Sequence, residues 1–186
     1  MTSGTSGRIL RSLLVLGIVA AVVAGGLWWA TGVARDKGII GAVAVPQQYR
    51  ALIREAADTC PKIPVEILAA QMAAESSWDA RARSGAGAQG IAQFMPAVWE
   101  QYGLDANDDG ERNVWDPVDA IFSAARLNCV NRALVKKASG NRLANTLAAY
   151  NAGYGAVLKY DGIPPYPETT AYVARILENA QEIKLG

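Results

Sequence analysis

The chain has 186 residues, 18 of them basic and 17 acidic, so one globular domain plus extras is expected and nothing in the charge points to a nucleic-acid partner. It contains no histidine, which excludes Ser-His and Cys-His nucleophile pairs, imidazole bases and imidazole metal sites. Acid–base chemistry here falls to Asp, Glu, Lys or Tyr.

At the amino end, Arg8 and Arg11 precede Leu13–Ala30, LLVLGIVAAVVAGGLWWA, which carries no charge. A stretch of that length crosses a hydrocarbon core as a helix, with the basic flank kept in the cytoplasm and Trp28 and Trp29 at the far interface. The expected layout is a short cytoplasmic tail over 1–11, a single transmembrane anchor over 12–31, a linker over 32–45 and an exported domain over 46–186. The alternative is a cleaved signal peptide and a secreted domain. Its apolar region would be shorter, about 7 to 15 residues, and Ala30-Thr31-Gly32 is a poor cleavage site. Fully extended, the linker reaches at most about 50 Å, so a retained anchor confines the domain to the membrane surface.

Export bears on Cys60 and Cys129, the two cysteines. Outside the cytoplasm a disulfide between them can form and persist, worth roughly 4 kcal/mol in the chain-entropy model. Two buried free thiols are the other reading.

From Pro46 onward the pattern is helical. Pro46 and Pro64 suit first turns, and Leu52, Ile53, Ala56 and then Ile67, Leu68, Met72 show three-to-four spacing. Glu75 continues the stripe of Leu68 and Met72 at i, i+4, i+7, which puts a carboxyl among apolar side chains. Gly85, Gly87 and Gly90 follow, so this helix is expected to stop near Glu75. Burial and the negative end of a helix dipole both disfavour a carboxylate there. The product is an acid that holds its proton near neutrality and can protonate a leaving oxygen. The plainer alternative is a glutamate bent to solvent or paired with Arg81 or Arg83. The glycine-rich run SGAGAQGIAQF can hold a short hairpin or loop.

Asp105-Ala106-Asn107-Asp108-Asp109-Gly110-Glu111 through Asp116 matches D-x-[DN]-x-D-G with an acid at position 12, a calcium-loop pattern. It offers Asp105, Asn107, Asp109, the Glu111 carbonyl and Asp116 as ligands for a structural Ca2+ remote from the acid. Position 12 is Asp rather than Glu and position 8 is Arg112, so the competing reading is an Asn/Asp/Gly turn. Asp116-Pro117 then caps and opens a long helix running towards Lys137. Leu143, Leu147 and Tyr150 repeat at helical spacing up to Gly153, and Pro167 opens a last helix with Tyr172, Ile176 and Ile183.

Three groups of these residues resemble one family. Glu75-Ser76-Ser77-Trp78 with the segment Ala82 to Pro96 is similar to the Glu-Ser and G-L-M-Q motifs of soluble-lytic-transglycosylase (SLT, goose-lysozyme-like) domains. Ala149-Tyr150-Asn151-Ala152-Gly153 resembles their A-Y-N-A-G motif, and Pro167-Glu168-Thr169 with Tyr172 their P-x-E-T-x-x-Y element. The resemblance spans Pro46 to about Ile183. It implies a mainly α, lysozyme-like fold and a lyase that cuts the MurNAc-β-1,4-GlcNAc bond of peptidoglycan glycan strands without a required cofactor, in the bacterial cell envelope.

Position by position, Glu75 matches the family's acid/base and Tyr150 a tyrosine lying against it. Ser84, Gln93, Met95, Asn151, Glu168 and Tyr172 match the sugar cleft. G-L-M-Q is G-I-A-Q here, trimming a methionine to Ala92, and the N-I after D-P is Ala120-Ile121. Ordinary glycosidases use two carboxyls. The stretch Ser84 to Gln93 lacks the aspartate that positions water in the related goose-type lysozymes, so the resemblance implies attack by the muramic acid's own C6 hydroxyl and a 1,6-anhydro product. A water-using muramidase is the enzyme alternative, with Glu168 or Asp79 as its second carboxylate. A non-catalytic wall-binding module, or a subunit that contacts proteins of an envelope machine, is the non-enzyme alternative.

Overall fold

A computed structural model describes residues 44–185. The proposed tail and anchor, and nearly all of the linker, lie outside them. Among the described residues no helix is long and apolar enough to cross a membrane.

The described chain is helical and contains no strands, only isolated antiparallel bridges pairing Arg83 with Gln89 and Gln89 with Phe94. The glycine-rich segment is therefore a loop rather than a hairpin of two strands. After a 3-10 turn at Gln47–Tyr49 come α1 (Arg50–Asp58), α2 (Val65–Ser76), α3 (Pro96–Tyr102), α4 (Pro117–Leu134), α5 (Arg142–Ala152), α6 (Tyr154–Lys159) and α7 (Pro167–Glu182). Compactness separates Ser84–Gly87, a turn closed by the Gly87 N–H donating to the Ser84 carbonyl at 3.0 Å, from the body formed by 44–83 and 88–185.

Local chemistry sets the helix ends. The Asp116 carboxylate accepts from the Val118 N–H at 2.7 Å ahead of Pro117 at the first helical position, and Asn141 accepts from Leu143 and Ala144 at the start of α5. Gly153, at φ 84°, ends α5 where a side chain would be strained. The long helix α4 stops at Leu134, short of the expected Lys137, and α3 and α6 were not anticipated; both are short and lack a full apolar stripe.

Helix α2 is the centre of the body. Ile67, Leu68, Ala69, Ala70, Gln71, Met72 and Ala74 are buried, so apolar residues face every side, as in a helix wrapped by others. It packs chiefly on α7 and also touches α1 and α4, while α5 packs between α4 and α7. A disulfide joins Cys60, just past α1, to Cys129 on α4 with the Cα atoms 5.9 Å apart, tying the first helix to the longest one.

Candidate active site

Glu75 lies one residue from the end of α2, and the chain leaves the helix there by an unusual route. Ser77 and Trp78 both have positive φ, 53° and 70°. That conformation is uncommon for any residue with a Cβ and is strained for tryptophan, so the surroundings must hold it. Trp78 stacks on Tyr49, ring centroids 5.6 Å apart, and the Ser76 hydroxyl donates to the Ile91 carbonyl at 2.8 Å. The turn swings Asp79 away to the exposed side, where it accepts from the Arg81 N–H at 2.8 Å. Arg83, the other suggested partner for Glu75, has its guanidinium over the Trp115 ring at 5.5 Å.

The half-buried carboxyl of Glu75 meets two helices from the far end of the chain. The Tyr172 hydroxyl on α7 donates to Glu75 Oε1 at 2.6 Å. Tyr172 in turn accepts from Gln71 Nε2 at 3.1 Å, and Gln71 Oε1 accepts from Asn128 Nδ2 at 2.6 Å. Desolvation is the dominant influence and lifts the Glu75 pKa from 4.5 to about 7. The Tyr172 hydrogen bond and the charge of Arg175 oppose the rise, and the charge of Glu168 adds to it. Both tyrosines, Tyr150 and Tyr172, are held well above the usual phenol range by burial and by the neighbouring glutamate, so they stay protonated donors.

The other sequence-derived positions divide. Tyr150 comes within electrostatic range of Glu75, but its hydroxyl donates to the Ala92 carbonyl at 2.9 Å. The trimmed side chain at Ala92 thus leaves a contact made by the backbone intact. Gln93 has φ 50°, and its amide nitrogen donates to the Gly90 and Ala82 carbonyls at 2.8 and 3.2 Å, so it fastens the loop. Gly90 (φ +75°) is buried against the Val114 carbonyl, where any Cβ would collide with that backbone. Met95 is 38% exposed at the start of α3. Asn151 accepts from the Thr169 hydroxyl at 2.7 Å, linking α5 to α7, and Glu168 is exposed in the first turn of α7. Ser84 is half-buried in its own turn. Gln71, Asn128 and Arg175 belong to none of the motifs quoted above; a polar residue inside an all-round apolar helix was the available signal for Gln71.

The candidate calcium ligands are arranged differently from the expectation. Among the described residues no cluster of three or more Cys, Asp or Glu side chains is placed to hold a metal ion. The loop's carboxylates turn inward on backbone N–H groups instead. Asp105 accepts from Asp109 and Gly110 at 3.1 and 2.9 Å, Asp109 accepts from Glu111 at 2.9 Å, and Asp116 caps α4. Asn107 spans the loop, donating to Asp109 at 3.0 Å and to Asp116 at 3.4 Å. The arrangement is an Asx-turn ladder. Asp119, fully buried on α4, anchors it by accepting from the Ala106 and Asn113 N–H groups at 2.8 and 2.9 Å.

Membrane-bound lytic murein transglycosylase F of Maricaulis maris is 35% identical over 109 residues, 58% of this chain and 22% of that protein. Membrane-bound lytic murein transglycosylase D of Escherichia coli is 34% identical over 125 residues, 59% of this chain and 26% of that protein. The chain therefore spans about a quarter of those relatives. In structure it is similar to the soluble lytic transglycosylase SLT70 of E. coli, with a TM-score of 0.58 at 22% identity over 73% of this chain and 24% of the other. It is also similar to an inactive mutant of the lytic transglycosylase Slt from Pseudomonas aeruginosa, at 0.52 and 26% identity, again over 73% and 24%. The family model of the transglycosylase SLT domain matches residues 52–172, more than half of the sequence and a span that includes Glu75, Tyr150 and Tyr172, and the chain belongs to that family.

Proposed function

We propose that residues 46–186 form a peptidoglycan lytic transglycosylase in which Glu75 serves as acid and then as base. The observation that carries the reading is a carboxyl whose surroundings lift its pKa to about 7 while it accepts a hydrogen bond from the buried phenol of Tyr172. The names of the relatives, murein transglycosylases, supply the substrate class.

In the first step Glu75 gives its proton to the oxygen bridging MurNAc C1 and GlcNAc C4, and the C1–O bond breaks with both electrons leaving on oxygen. The sugar left behind is positively charged in character, and the Glu168 carboxylate is close enough to act on Glu75 electrostatically and so to favour that charge. In the second step the Glu75 carboxylate takes the proton of the MurNAc C6 hydroxyl as O6 bonds to C1. The proton count returns to its start, no water is consumed, and the product ends in 1,6-anhydroMurNAc. Gln93, Met95, Tyr150, Asn151 and Tyr172 would shape the sugar cleft, with Ser84 assigned to it by motif. An anchor over residues 12–31, with the amino end in the cytoplasm, would hold the domain outside the membrane and close to its surface.

Glu168 also supports the second reading, a hydrolase in which that carboxylate activates water. Mass spectrometry of muropeptides released from purified peptidoglycan separates the two. Anhydromuramic ends, absent with Glu75→Gln, are the expected result. Reducing ends that disappear with Glu168→Gln would establish the hydrolase instead. Retention on the wall without release by wild-type protein would point to a binding module.

A further inference from the structure

Behind Glu75 runs a line of polar groups drawn from three helices: Asn128 on α4, Gln71 on α2 and Tyr172 on α7. Gln71 and Asn128 have no exposed surface and Tyr172 has 4%. All three lie within the helices whose buried side chains build the apolar core. Polar groups left unpaired at such depth are destabilising, so a connected chain of them implies a role that an apolar core would not fill.

The chemistry of the donors gives the chain a direction. A tyrosine oxygen carries one proton. Gln71 Nε2 donates to that oxygen, so the phenol's proton is directed to Glu75 Oε1. Turning both amides over would reverse the chain and make Tyr172 an acceptor from Glu75. That arrangement would put the NH2 group of Asn128 where its Oδ1 now lies buried without a partner. An unmet carbonyl is the lesser penalty than two unmet N–H groups, so the direction is held from Asn128 outward.

We propose that Gln71 and Asn128 are positioning residues that, through Tyr172, keep Glu75 Oε1 a permanent acceptor, so that the proton exchanged with the sugar is always carried on Oε2. The inference rests on Glu75 being the acid of the proposed reaction. It explains how one carboxyl performs both steps without turning over, since the atom that delivers the first proton is the one that collects the second. The same hydrogen bond supports the carboxylate between the steps. The other groups acting on Glu75 are Glu168 and Arg175 from α7 and Tyr150 from α5, and none of them belongs to the chain.

The test uses the full-length protein and three variants: Gln71→Met, which fills a similar volume but cannot donate, Tyr172→Phe, and the two combined. Rates of anhydromuropeptide release are measured across pH, together with the midpoint of Glu75 ionisation by carbon NMR. Gln71→Met is expected to lower kcat about tenfold with KM nearly unchanged, the worth of roughly one hydrogen bond. It is also expected to raise the Glu75 midpoint by up to about one pH unit, because Tyr172, no longer accepting from Gln71, is not held as a donor and its bond to the carboxylate weakens. Tyr172→Phe should do the same, and the combined variant no more than either alone. If Gln71→Met does not fold, Asn128→Leu is expected to move the midpoint in the same direction by less. An unchanged midpoint and pH profile, or effects of Gln71→Met and Tyr172→Phe that add, would overturn the relay while leaving the proposed function standing. Wild-type rates in Glu75→Gln would overturn both.

Discussion

Glu75 and Asp119 are both carboxyls on helices buried nearly all round, and their surroundings treat them in opposite ways. Asp119 on α4 receives a backbone N–H on each oxygen and pins the turn-rich loop from Asp105 to Asp116. Glu75 on α2 receives one phenol, sits beside strained backbone at Ser77 and Trp78, and is lifted in pKa by desolvation. The difference lies in what each helix faces. Asp119 meets a loop whose own N–H groups need acceptors, so carboxylate and loop satisfy each other. Glu75 meets the side chains of two other helices, whose N–H groups are already spent within those helices. One carboxyl is therefore structural and the other is left under-compensated, the condition a general acid needs.

The comparison is broken most severely by Glu75→Gln. Release of anhydromuropeptides is expected to fall about 10³-fold, within the range of acid–base contributions, while binding to purified wall persists. A residual rate near wild type would strip Glu75 of its role. The counterpart, Asp119→Ala, is expected to destabilise the fold by about 3 kcal/mol in urea unfolding, because two N–H groups lose a buried acceptor. Its folded fraction should keep wild-type turnover; a loss of kcat as large as that of Glu75→Gln would erase the contrast between the two carboxyls.

The pH dependence sharpens the same point. The folded pKa of Glu75, about 7, exceeds its ordinary 4.5, so between those values the folded state binds more protons than the unfolded chain. Its contribution to stability is therefore intact below the lower value and is lost as pH rises to the higher one. Above neutrality, Glu75→Gln should be more stable than wild type by on the order of 2 kcal/mol, and at mildly acidic pH the advantage should vanish. Calorimetry at the two pH values checks the sign. Turnover of the wild type should fall in parallel above about pH 7, as the acid loses its proton.

The smallest effect is expected in the exposed part of the loop. Asp109→Ala removes contacts only to Asn107 and Glu111 and should cost less than about 1 kcal/mol. A calcium-dependent rise in the wild-type melting temperature, lost in Asp109→Ala, would show that the loop can reopen into a metal cradle.

Much of this protein is decided by short-range rules and can be read from the chain alone. The capped start of α4 at Asp116-Pro117, the glycine stop of α5 and the opening of α7 at Pro167 all follow from the conformational limits of a few residue types. The apolar stripe that carried Glu75 identified it as out of place, and the three motifs named the family. The short helices α3 and α6 escaped notice because they bury little of their own. What only the tertiary structure decided is where polar groups from distant segments meet. Tyr172, 97 residues from Glu75, bonds to it, while Tyr150 bonds to the backbone of Ala92. Gln71 and Asn128, 57 residues apart, complete a chain within the core, and a motif with the spacing of a calcium loop folds into a ladder of backbone contacts. Periodicity reports which face of a helix is buried, because burial is a property of each helix by itself. It does not report what that face touches, since hydrogen-bond partners and desolvation depend on how α2, α4, α5 and α7 pack together.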